Sequence, residues 1–275
     1  MKVMDQDLKV VELFGGSCSF SNVAKKFGYK TWTTDWEPFE DIDHVSNIMD
    51  LDLGIIPFQP DIVWASPPCT AFSVATIGRN WHKDPIRPKT EKAEEAMMIL
   101  EQTVWILNEL QPKYFILENP RGMMRTMPAV EWLDRTTVTY CQYGEERMKP
   151  TDLWNNLEGV WTPRKHCKNG DPCHVAAPRG SNTGTQGMKN AYERSKVPFV
   201  LCFEILRDIS IAEFGDDFNI LEFAKNLDDP NLDVEYRSQP EDLNDEINDD
   251  VVELFHDLDP NWEDMDLDRE EYGRR

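Results

Sequence analysis

Residues 8–35 read LKVVELFGGSCSFSNVAKKFGYKTWTTD and contain two short apolar runs that flank a segment with helical periodicity. The runs LKVVELF (8–14) and YKTWTTD (29–35) are rich in β-branched and aromatic residues, which is typical of buried strands. The segment FSNVAKKFG (20–28) spaces its apolar residues as one face of a helix does, and it ends at Gly28, a common helix terminator. The order strand, helix, strand predicts a βαβ unit, from which parallel sheets are built.

The alternation of strands and helices continues further along the chain. Two runs, DIVWAS (61–66) and KYFILE (113–118), predict buried strands, and VTYCQYG (138–144) predicts one more. The segment TEKAEEAMMILEQTVWILNEL (90–110) has helical periodicity, acidic residues in its first turn and Thr90 as its N-cap, and we expect it to be the longest helix. The sequence therefore predicts an α/β fold with a mostly parallel sheet and helices on both faces.

The totals of the sequence fit one enzyme-sized domain. A chain of 275 residues is long enough for one α/β core with a small appended module. Because the longest apolar runs are too short to cross a bilayer and no signal-peptide pattern is present, we expect a soluble protein of the cytoplasm with no membrane partner. The cysteines are too sparse for a disulfide scaffold and are predicted to be reduced: Cys18, Cys69, Cys141, Cys167, Cys173 and Cys202.

The net charge of −22 is concentrated at the carboxyl terminus. Residues 226–275 hold 19 Asp or Glu and four Arg, a net of −15 that leaves only −7 for residues 1–225. An acidic surface repels nucleic acid, but the body of the protein is only mildly acidic and does not exclude a nucleic-acid partner. We expect the acidic tail to be largely disordered.

Composition also divides the chain into segments. Residues 162–196 are rich in Gly, Pro, Asn, Ser and Thr and hold seven Lys or Arg against two acids, which predicts an irregular, locally cationic excursion. An amphipathic helical pattern returns in VPFVLCFEILRDI (197–209). We therefore predict a core at 1–161, this excursion, a closing helical segment at 197–225 and the acidic tail at 226–275.

The residues that follow the first two predicted strands are candidates for a binding site, because ligands of open parallel sheets bind where the strands end. After the first strand, the small residues of FGGSCSFS allow a ligand to approach the backbone closely; a tight structural turn is the alternative. At the end of the second strand, Asp35 can accept hydrogen bonds from ribose hydroxyls and Trp36 offers a flat face to adenine. This pair indicates a nucleoside-containing cofactor; a surface acid beside a packed aromatic is the alternative.

The next predicted strand runs into SPPCTAFS (66–73), which contains a candidate nucleophile, Cys69. Two successive prolines fix the backbone and present the thiol rigidly at the sheet edge. A small buried hydrophobic residue is the alternative, because free cysteine serves that role well and a nucleophile needs an activating environment.

The strand in FILENPRG (115–122) ends with a carboxylate, Glu118. Burial at a strand end raises the pKa of a Glu side chain, which suits proton donation or a hydrogen bond to a ring nitrogen. A role in helix capping or ion pairing is the alternative, and it is less favoured because the same sheet edge carries Cys69.

Taken together, the order, spacing and chemistry of these motifs resemble one family, the DNA (cytosine-5)-methyltransferases, which use S-adenosylmethionine. The resemblance spans roughly residues 8–210, and Pro-Pro-Cys followed by Glu-Asn is more specific than any single motif. The segments QYGEERMKPTDLW (142–154) and SKVP (195–198) resemble the family's Gln-x-Arg-x-Arg and Asn-Ser-Val-Pro segments. The resemblance implies a Rossmann-like methyltransferase fold in which residues 1–161 form the catalytic core and residues 162–196 a reduced target-recognition region.

The resemblance also implies where S-adenosylmethionine binds. The segments involved are the loop after the first strand, the end of the second strand, SNI (46–48), the nucleophile loop and the closing segment. The implied cofactor residues are Phe14, Gly15, Gly16, Ser17, Cys18, Asp35, Trp36, Asn47, Ile48, Pro67 and Ser195.

A covalent mechanism follows from the same resemblance. The Cys69 thiolate adds to C6 of a cytosine, C5 takes the methyl group, and Glu118 holds or protonates N3. The cytosine must leave the duplex stack, which costs on the order of a few kcal/mol. The loop VATIGRNWHKDPIRPK (74–89) is predicted to be a mobile flap that supplies cations and Leu- or Trp-sized wedges; an ordinary solvated loop is the alternative. The implied substrate contacts are Ser73, Arg79, His82, Lys83 and Asn119.

The sequence departs from the family pattern in three places. Cys18 stands where the cofactor loop usually has glycine, so the backbone is expected to differ there. The Gln-x-Arg-x-Arg site is degenerate: Arg147, Lys149 and Thr151 compete to contact cytosine O2, and Lys149 is preferred. The recognition region is short, which predicts short or loose sequence specificity.

Within the excursion, HCKNGDPCH holds four residues of the types that bind zinc: His166, Cys167, Cys173 and His174. Adjacent His-Cys pairs separated by a five-residue gap do not match a common zinc-finger spacing. A loop without zinc is therefore the favoured interpretation.

The leading hypothesis is cytosine-C5 methylation of DNA, and two alternatives remain open. One keeps the chemistry and changes the substrate to RNA of the tRNA type. The other is a non-catalytic, DNA-mimicking or binding protein, in which the acidic tail binds the cationic groove in cis or a basic partner protein. A solubilising tail is favoured over that role. A compact enzyme with little recognition apparatus fits a phage or a restriction-modification element, and a phage protein would act in the host cytoplasm.

Overall fold

The structure is a computed structural model that describes residues 7–83, 86–168, 171–175 and 190–215. The predicted acidic tail at 226–275 lies outside the described residues, as do the last part of the closing segment and much of the excursion. None of the helices in the described ranges is both long and apolar enough to span a membrane.

The described residues form a seven-stranded sheet and a separate two-stranded hairpin. The strands are β1 (Lys9–Leu13), β2 (Lys30–Asp35), β3 (His44–Val45), β4 (Ile62–Ala65), β5 (Trp81–Lys83), β6 (Ile86–Pro88), β7 (Tyr114–Pro120), β8 (Arg135–Thr139) and β9 (Pro150–Asn155). The order in the large sheet is β3-β2-β1-β4-β7-β9-β8. Because β9 pairs antiparallel with both of its neighbours, it alone runs against the other strands of this sheet. The prediction of a mostly parallel sheet is confirmed.

The helices of the described part are α1 (Ser19–Lys26), α2 (Ile77–Asn80), α3 (Glu91–Leu110), α4 (Ala191–Ser195) and α5 (Phe199–Phe214). The longest of these is α3, as predicted, and its N-cap is Thr90, whose hydroxyl accepts a hydrogen bond from the Ala93 amide at 3.3 Å. That contact satisfies one of the amide groups that an α-helix leaves unpaired in its first turn.

Helices cover both faces of the sheet, as predicted. One apolar cluster joins the buried side of α3 to residues such as Val11, Val63 and Leu117. The other joins α1 and α5 to the opposite side of the same strands, through residues such as Val10 and Ile62. Successive side chains of a strand point to opposite faces, so each central strand of the sheet contributes to both clusters and reads as a continuous apolar run.

The first strand also holds the helix that follows it, through a buried acid, Glu12. Its carboxylate accepts hydrogen bonds from the amides of Phe20 and Ser21 at 3.4 and 2.7 Å, whereas the N-cap residue Cys18 makes no side-chain capping bond. Burial raises the pKa of Glu12 to about 7, while the bonds from Ser21 and Phe20 oppose that rise. The link from β1 to α1 fixes the loop that lies between them.

The sequence-based assignment beyond residue 135 was partly wrong. The predicted strand at 138–144 begins earlier and ends at Thr139, where the 3-10 helix Tyr140–Tyr143 takes over. The strand β9 was not predicted, because its Asp152 is an acid at a fully buried position. Arg125 compensates the charge of that acid with two hydrogen bonds of 2.5 and 3.0 Å, a long-range contact that no local pattern indicates.

Candidate active site

The register of the parallel strands aligns the predicted site residues along one edge of the sheet. Leu13 pairs with Thr34 on one side and with Ala65 on the other, and Ala65 pairs with Leu117. The next residues along these four strands form a row at the carboxyl edge: Asp35, Phe14, Ser66 and Glu118. The sequence predicts a site at the strand ends, and the structure brings these four residues to the carboxyl edge of the sheet.

The loop between β1 and α1 keeps the backbone of a glycine-rich loop even where glycine is missing. Phe14, Gly16 and Cys18 all have positive φ, at 59, 51 and 49°. For the two non-glycine residues this left-handed conformation costs on the order of 1 kcal/mol each. Cys18 is fully buried and its thiol faces the Asp41 carbonyl at 3.6 Å. Cys18 thus has a backbone conformation that a glycine adopts without strain, and the strain of a cysteine is tolerated there.

Two further residues of this loop, Gly15 and Ser17, are also held in place. The Gly15 amide donates to the Thr34 carbonyl at 2.9 Å, which ties the loop to the end of β2. The Ser17 and Ser19 hydroxyls are 2.8 Å apart, and the Ser19 hydroxyl accepts a hydrogen bond from the Val197 amide at 3.2 Å. Val197, in the predicted closing segment, thus contacts the first residue of α1, directly after the loop between β1 and α1.

Asp35 and Trp36 adjoin each other at the end of β2, where Asp35 is buried and Trp36 is exposed. The two carboxylate oxygens of Asp35 accept hydrogen bonds from the amides of Gly16 and Glu37, both at 3.0 Å, and burial raises the pKa of this acid. The indole of Trp36 is 70% exposed although it adjoins this buried acid. An oriented carboxylate beside an open aromatic face fits a ribose and an adenine ring, so the residues present suit S-adenosylmethionine.

The other predicted cofactor residues differ in how they are placed. Ile48 is buried, whereas Asn47 is exposed and uses its side-chain oxygen to accept a hydrogen bond from the Met49 amide at 3.0 Å. Ser195 is exposed at the end of α4, where its hydroxyl donates to the Tyr192 carbonyl at 2.7 Å. The geometry therefore gives Asn47 and Ser195 local structural contacts.

The nucleophile loop is held from both of its ends. The side-chain amide of Asn119 donates to the carbonyl of Pro67 at 2.9 Å in a buried contact. The Cys69 carbonyl accepts hydrogen bonds from the Phe72 and Ser73 amides at 3.0 and 2.9 Å. Cys69 is itself half-buried on this fixed backbone, and burial is the largest cause of the raised pKa of its thiol.

Glu118 is buried at the carboxyl edge, and one of its hydrogen-bond partners is a tyrosine that the sequence did not indicate. The Tyr140 hydroxyl donates to Glu118 at 2.9 Å. Burial raises the pKa of Glu118, while Lys149 and this hydrogen bond lower it. Burial and the charge of Glu118 also raise the pKa of the Tyr140 phenol, which keeps it protonated as a donor. Tyr140 belongs to the stretch predicted as a strand, which gave no sign of this role.

Lys149 completes a charged group with Glu118 and Cys69. Its ammonium lies 4.4 Å from the centre of the Tyr140 ring and donates to the Arg194 carbonyl at 3.1 Å. Burial lowers the pKa of Lys149, and the neighbouring Glu118 charge opposes that shift. Burial and then Glu118 raise the pKa of the Cys69 thiol, whereas Lys149 lowers it. The nucleophile candidate is thus tuned by two opposite charges.

The two other candidates for the contact with cytosine O2, Arg147 and Thr151, form hydrogen bonds with other residues. Arg147 is buried and donates to the Glu145 carboxylate at 2.6 Å through Nε. Thr151 is buried in β9 and donates to the Lys149 carbonyl at 3.0 Å. Of the three, Lys149 is the one whose charge acts on Cys69 and Glu118.

The predicted flap after the nucleophile contains α2 and the hairpin of β5 and β6. Its tryptophan, Trp81, is fully buried, stacks on Phe72 with ring centres 5.5 Å apart, and donates to the Ala71 carbonyl at 2.8 Å. Trp81 is therefore an anchor for the nucleophile loop and does not serve as an exposed wedge. Arg79 is exposed on α2 and His82 half-buried on β5.

The residues weighed as zinc ligands are only partly brought together. Cys167, Cys173 and His174 lie close to one another, and the fourth member of their group is Cys141. His166 is not part of the group: its Nδ1 lies 2.6 Å from the Cys167 carbonyl oxygen. The sequence gave no sign of Cys141 because it stands 26 residues before Cys167.

The fold and the site define a Rossmann-like methyltransferase. Residues 9–134 match the family described as C-5 cytosine-specific DNA methylase. A protein of Frog virus 3 (isolate Goorha), named "Probable DNA (cytosine-5)-methyltransferase", is 30% identical, and the match covers 72% of this chain and 99% of the viral protein. The chain belongs to the C-5 cytosine-specific DNA methylase family.

Solved structures are more distant. A prophage-encoded protein from E. coli, assigned as a DNA modification methyltransferase, is 18% identical with a TM-score of 0.42, over 62% of this chain and 57% of the other. The Dnmt2 methyltransferase of S. pombe is 15% identical with a TM-score of 0.39, over 54% of this chain and 49% of the other. The chain thus spans about half the length of these solved proteins.

A first prediction concerns Gly122, which lies against the nucleophile loop. The Met123 amide donates to the Phe72 carbonyl at 2.7 Å, and a Cβ at residue 122 would collide with that carbonyl oxygen. We expect Gly122→Ala to displace the loop that carries Cys69 and to lower the methylation rate by about 100-fold, since a shift near 1 Å has that effect. Gly78→Ala is the control, because open space surrounds residue 78. Equal rates for the two variants in a methyl-incorporation assay would contradict the prediction.

A second prediction concerns the pKa of Cys69. Lys149→Gln removes a charge that lowers this pKa, so the apparent pKa should rise; Glu118→Gln removes a charge that raises it, so the apparent pKa should fall. Since only the thiolate reacts, the rate of alkylation of the Cys69 peptide, followed by mass spectrometry against pH, reports this value. Lys92→Gln, on the exposed side of α3, is the charge-matched control. Shifts in the same direction for both active-site variants would refute the assignment.

Proposed function

We propose that this protein transfers a methyl group from S-adenosylmethionine to C5 of a cytosine in DNA through a covalent bond to Cys69. The observation that carries the proposal is the convergence of a thiol, a buried carboxyl group and an ammonium group, Cys69, Glu118 and Lys149, at the carboxyl edge of the sheet. The name of the viral relative supports DNA as the substrate.

S-Adenosylmethionine, when bound, supplies an electrophilic methyl group. The residues of this chain that suit its adenosine are Asp35 for the ribose hydroxyls and Trp36 for the face of the adenine. The buried Ile48, from the segment SNI (46–48), is assigned as a further contact of the adenine ring. The rest of the molecule is assigned to the loop from Phe14 to Cys18, whose small residues and left-handed backbone conformations allow a ligand to approach the main chain.

Cys69 supplies the nucleophile. Its thiolate forms a bond to C6 of the cytosine, and the electron pair of the C5–C6 double bond becomes available at C5. This pair would form the bond to the methyl carbon while the bond from that carbon to the sulfonium sulfur breaks and its electrons stay on the sulfur as a neutral thioether. Loss of the C5 proton to a base then restores the double bond and releases the Cys69 thiolate. Lys149 favours the thiolate form, because its positive charge lowers the pKa of the thiol.

Glu118 supplies the proton or hydrogen bond at N3 that stabilises the addition. Burial raises its pKa, so the carboxylate takes up a proton more readily than an exposed glutamate does and can share that proton with a ring nitrogen. The hydrogen bond from Tyr140 holds Oε1 of this carboxyl group, and the Ser66 side chain is a second hydrogen-bond partner of Glu118. Tyr140 thus acts as a positioning residue, and Lys149 is assigned to the cytosine O2 atom.

The target cytosine lies within the duplex and has to be flipped out, at a cost on the order of a few kcal/mol. We assign the contacts with DNA phosphates, and with the base left unpaired by flipping, to Arg79, His82 and Lys83 on the segment after the nucleophile. Ser73, in the loop that carries Cys69, is assigned a further substrate contact. Asn119 acts through its bond to the Pro67 carbonyl, by positioning that loop. The excursion at 162–196 is assigned to target recognition.

The test of this proposal is trapping of the covalent adduct. Duplex DNA that contains 5-fluorodeoxycytidine cannot lose a proton at C5, so incubation with S-adenosylmethionine should give a complex that survives denaturation. Cys69→Ser should abolish this complex, whereas Cys202→Ser, at a buried position in α5, should retain it.

A parallel incubation with 5-fluorocytidine RNA separates the substrates. An adduct with RNA alone would replace DNA by an RNA substrate and leave the chemistry in place. No adduct with either polymer would contradict the enzymatic proposal and favour a binding protein built on the same fold.

A further inference from the structure

Three cysteines and one histidine form a cluster apart from Cys69 and Glu118. The members are Cys141, Cys167, Cys173 and His174, and their sulfur and nitrogen atoms all lie within 4.8 Å of one another. Cys141 comes from the 3-10 helix that follows β8, whereas the other three come from the excursion after Trp161. Three of the four are buried and Cys173 is half-buried, so the cluster is screened from solvent.

The sulfur–nitrogen distances within the cluster are close to those of ligands around one zinc ion, and the sulfur–sulfur distances are shorter by roughly 0.3–0.5 Å. The Cys141 sulfur lies 3.3 Å from that of Cys167 and 3.5 Å from that of Cys173. Nδ1 of His174 lies 3.7 Å from the Cys167 sulfur and 3.4 Å from the Cys173 sulfur. Tetrahedral zinc with bonds of about 2.3 Å to sulfur and 2.0 Å to nitrogen requires ligand separations of about 3.5 to 3.8 Å.

We propose that Cys141, Cys167, Cys173 and His174 bind one structural zinc ion. Three thiolates and an imidazole are a soft ligand set of the kind that zinc prefers, whereas calcium and magnesium prefer oxygen. Four protein ligands close the tetrahedron, which is the arrangement of structural zinc rather than of catalytic zinc. The spacing within HCKNGDPCH favoured a loop without zinc because it does not reveal Cys141 as the fourth ligand.

The zinc ion would hold the recognition excursion against the catalytic edge. Cys141 directly follows Tyr140, which bonds to Glu118, and the Tyr140 amide donates to the Met148 carbonyl at 2.7 Å. On the excursion side, the Val175 amide donates to the Glu146 carbonyl at 2.9 Å. One ion would thus connect the excursion to the segment that carries Lys149. This inference rests on the cluster alone and does not depend on the proposed reaction.

The test is the zinc content of the full-length protein, purified without a metal-affinity step and measured by plasma mass spectrometry. We expect about one zinc ion per chain. Cys141→Ser and His174→Gln should lose it, because each removes a ligand. His166→Gln and Cys202→Ser are the matched controls and should retain it, since His166 and Cys202 lie outside the cluster.

A second measurement on the wild-type chain keeps the test decisive if the ligand variants fail to fold. Zinc is removed with a chelator and replaced by cobalt, which should give the intense thiolate-to-cobalt absorption and the visible bands of a tetrahedral site. A wild-type protein that holds no zinc and gives no such absorption would overturn the proposal. A disulfide bond between two of the three cysteines, or loss of zinc in His166→Gln with retention in His174→Gln, would overturn it as well.

Discussion

The register of the parallel strands is the constraint on which the site depends. Because Leu13, Ala65 and Leu117 lie side by side, the residues that follow them reach the same edge of the sheet, and Glu118 faces the loop that carries Cys69. The period of a strand is two, so a slip by one residue would turn Glu118 to the opposite face. The apolar clusters on the two faces fix the register, since each central strand has buried side chains on both sides.

The electrostatics of the site must satisfy two opposite demands. In the proposed reaction Cys69 has to become a thiolate while Glu118 has to keep or share a proton, and burial raises the pKa of both groups. Lys149 relieves the cost for the thiolate by placing a positive charge near it, and Tyr140 holds the carboxyl group without adding charge. Tyr140 and Lys149 lie on the two sides of the loop at residues 144–148. The geometry of that loop therefore controls both demands at once.

Much of the fold and the main site candidates could be predicted from local patterns. Patterns of a few residues indicate the strand before Cys69, the helix capped by Thr90 and the acid at the end of β7. What could not be predicted depends on contacts distant in sequence. The bond from Tyr140 to Glu118 joins positions 22 residues apart, and the buried acid of β9, Asp152, is paired with Arg125 at a distance of 27 residues in sequence. The burial of Trp81 similarly depends on packing against Phe72, which a loop-like composition concealed.

The reaction proposed for Cys69, Glu118 and Lys149 is methylation of cytosine at carbon C5. The most direct measurement is nucleoside analysis of duplex DNA after incubation with the full-length protein and isotope-labelled S-adenosylmethionine. The label is expected in 5-methyldeoxycytidine, and the Cys69→Ser variant should give none. Label in N4-methyldeoxycytidine or N6-methyldeoxyadenosine, or equal label in 5-methyldeoxycytidine with the Cys69→Ser variant, would contradict it.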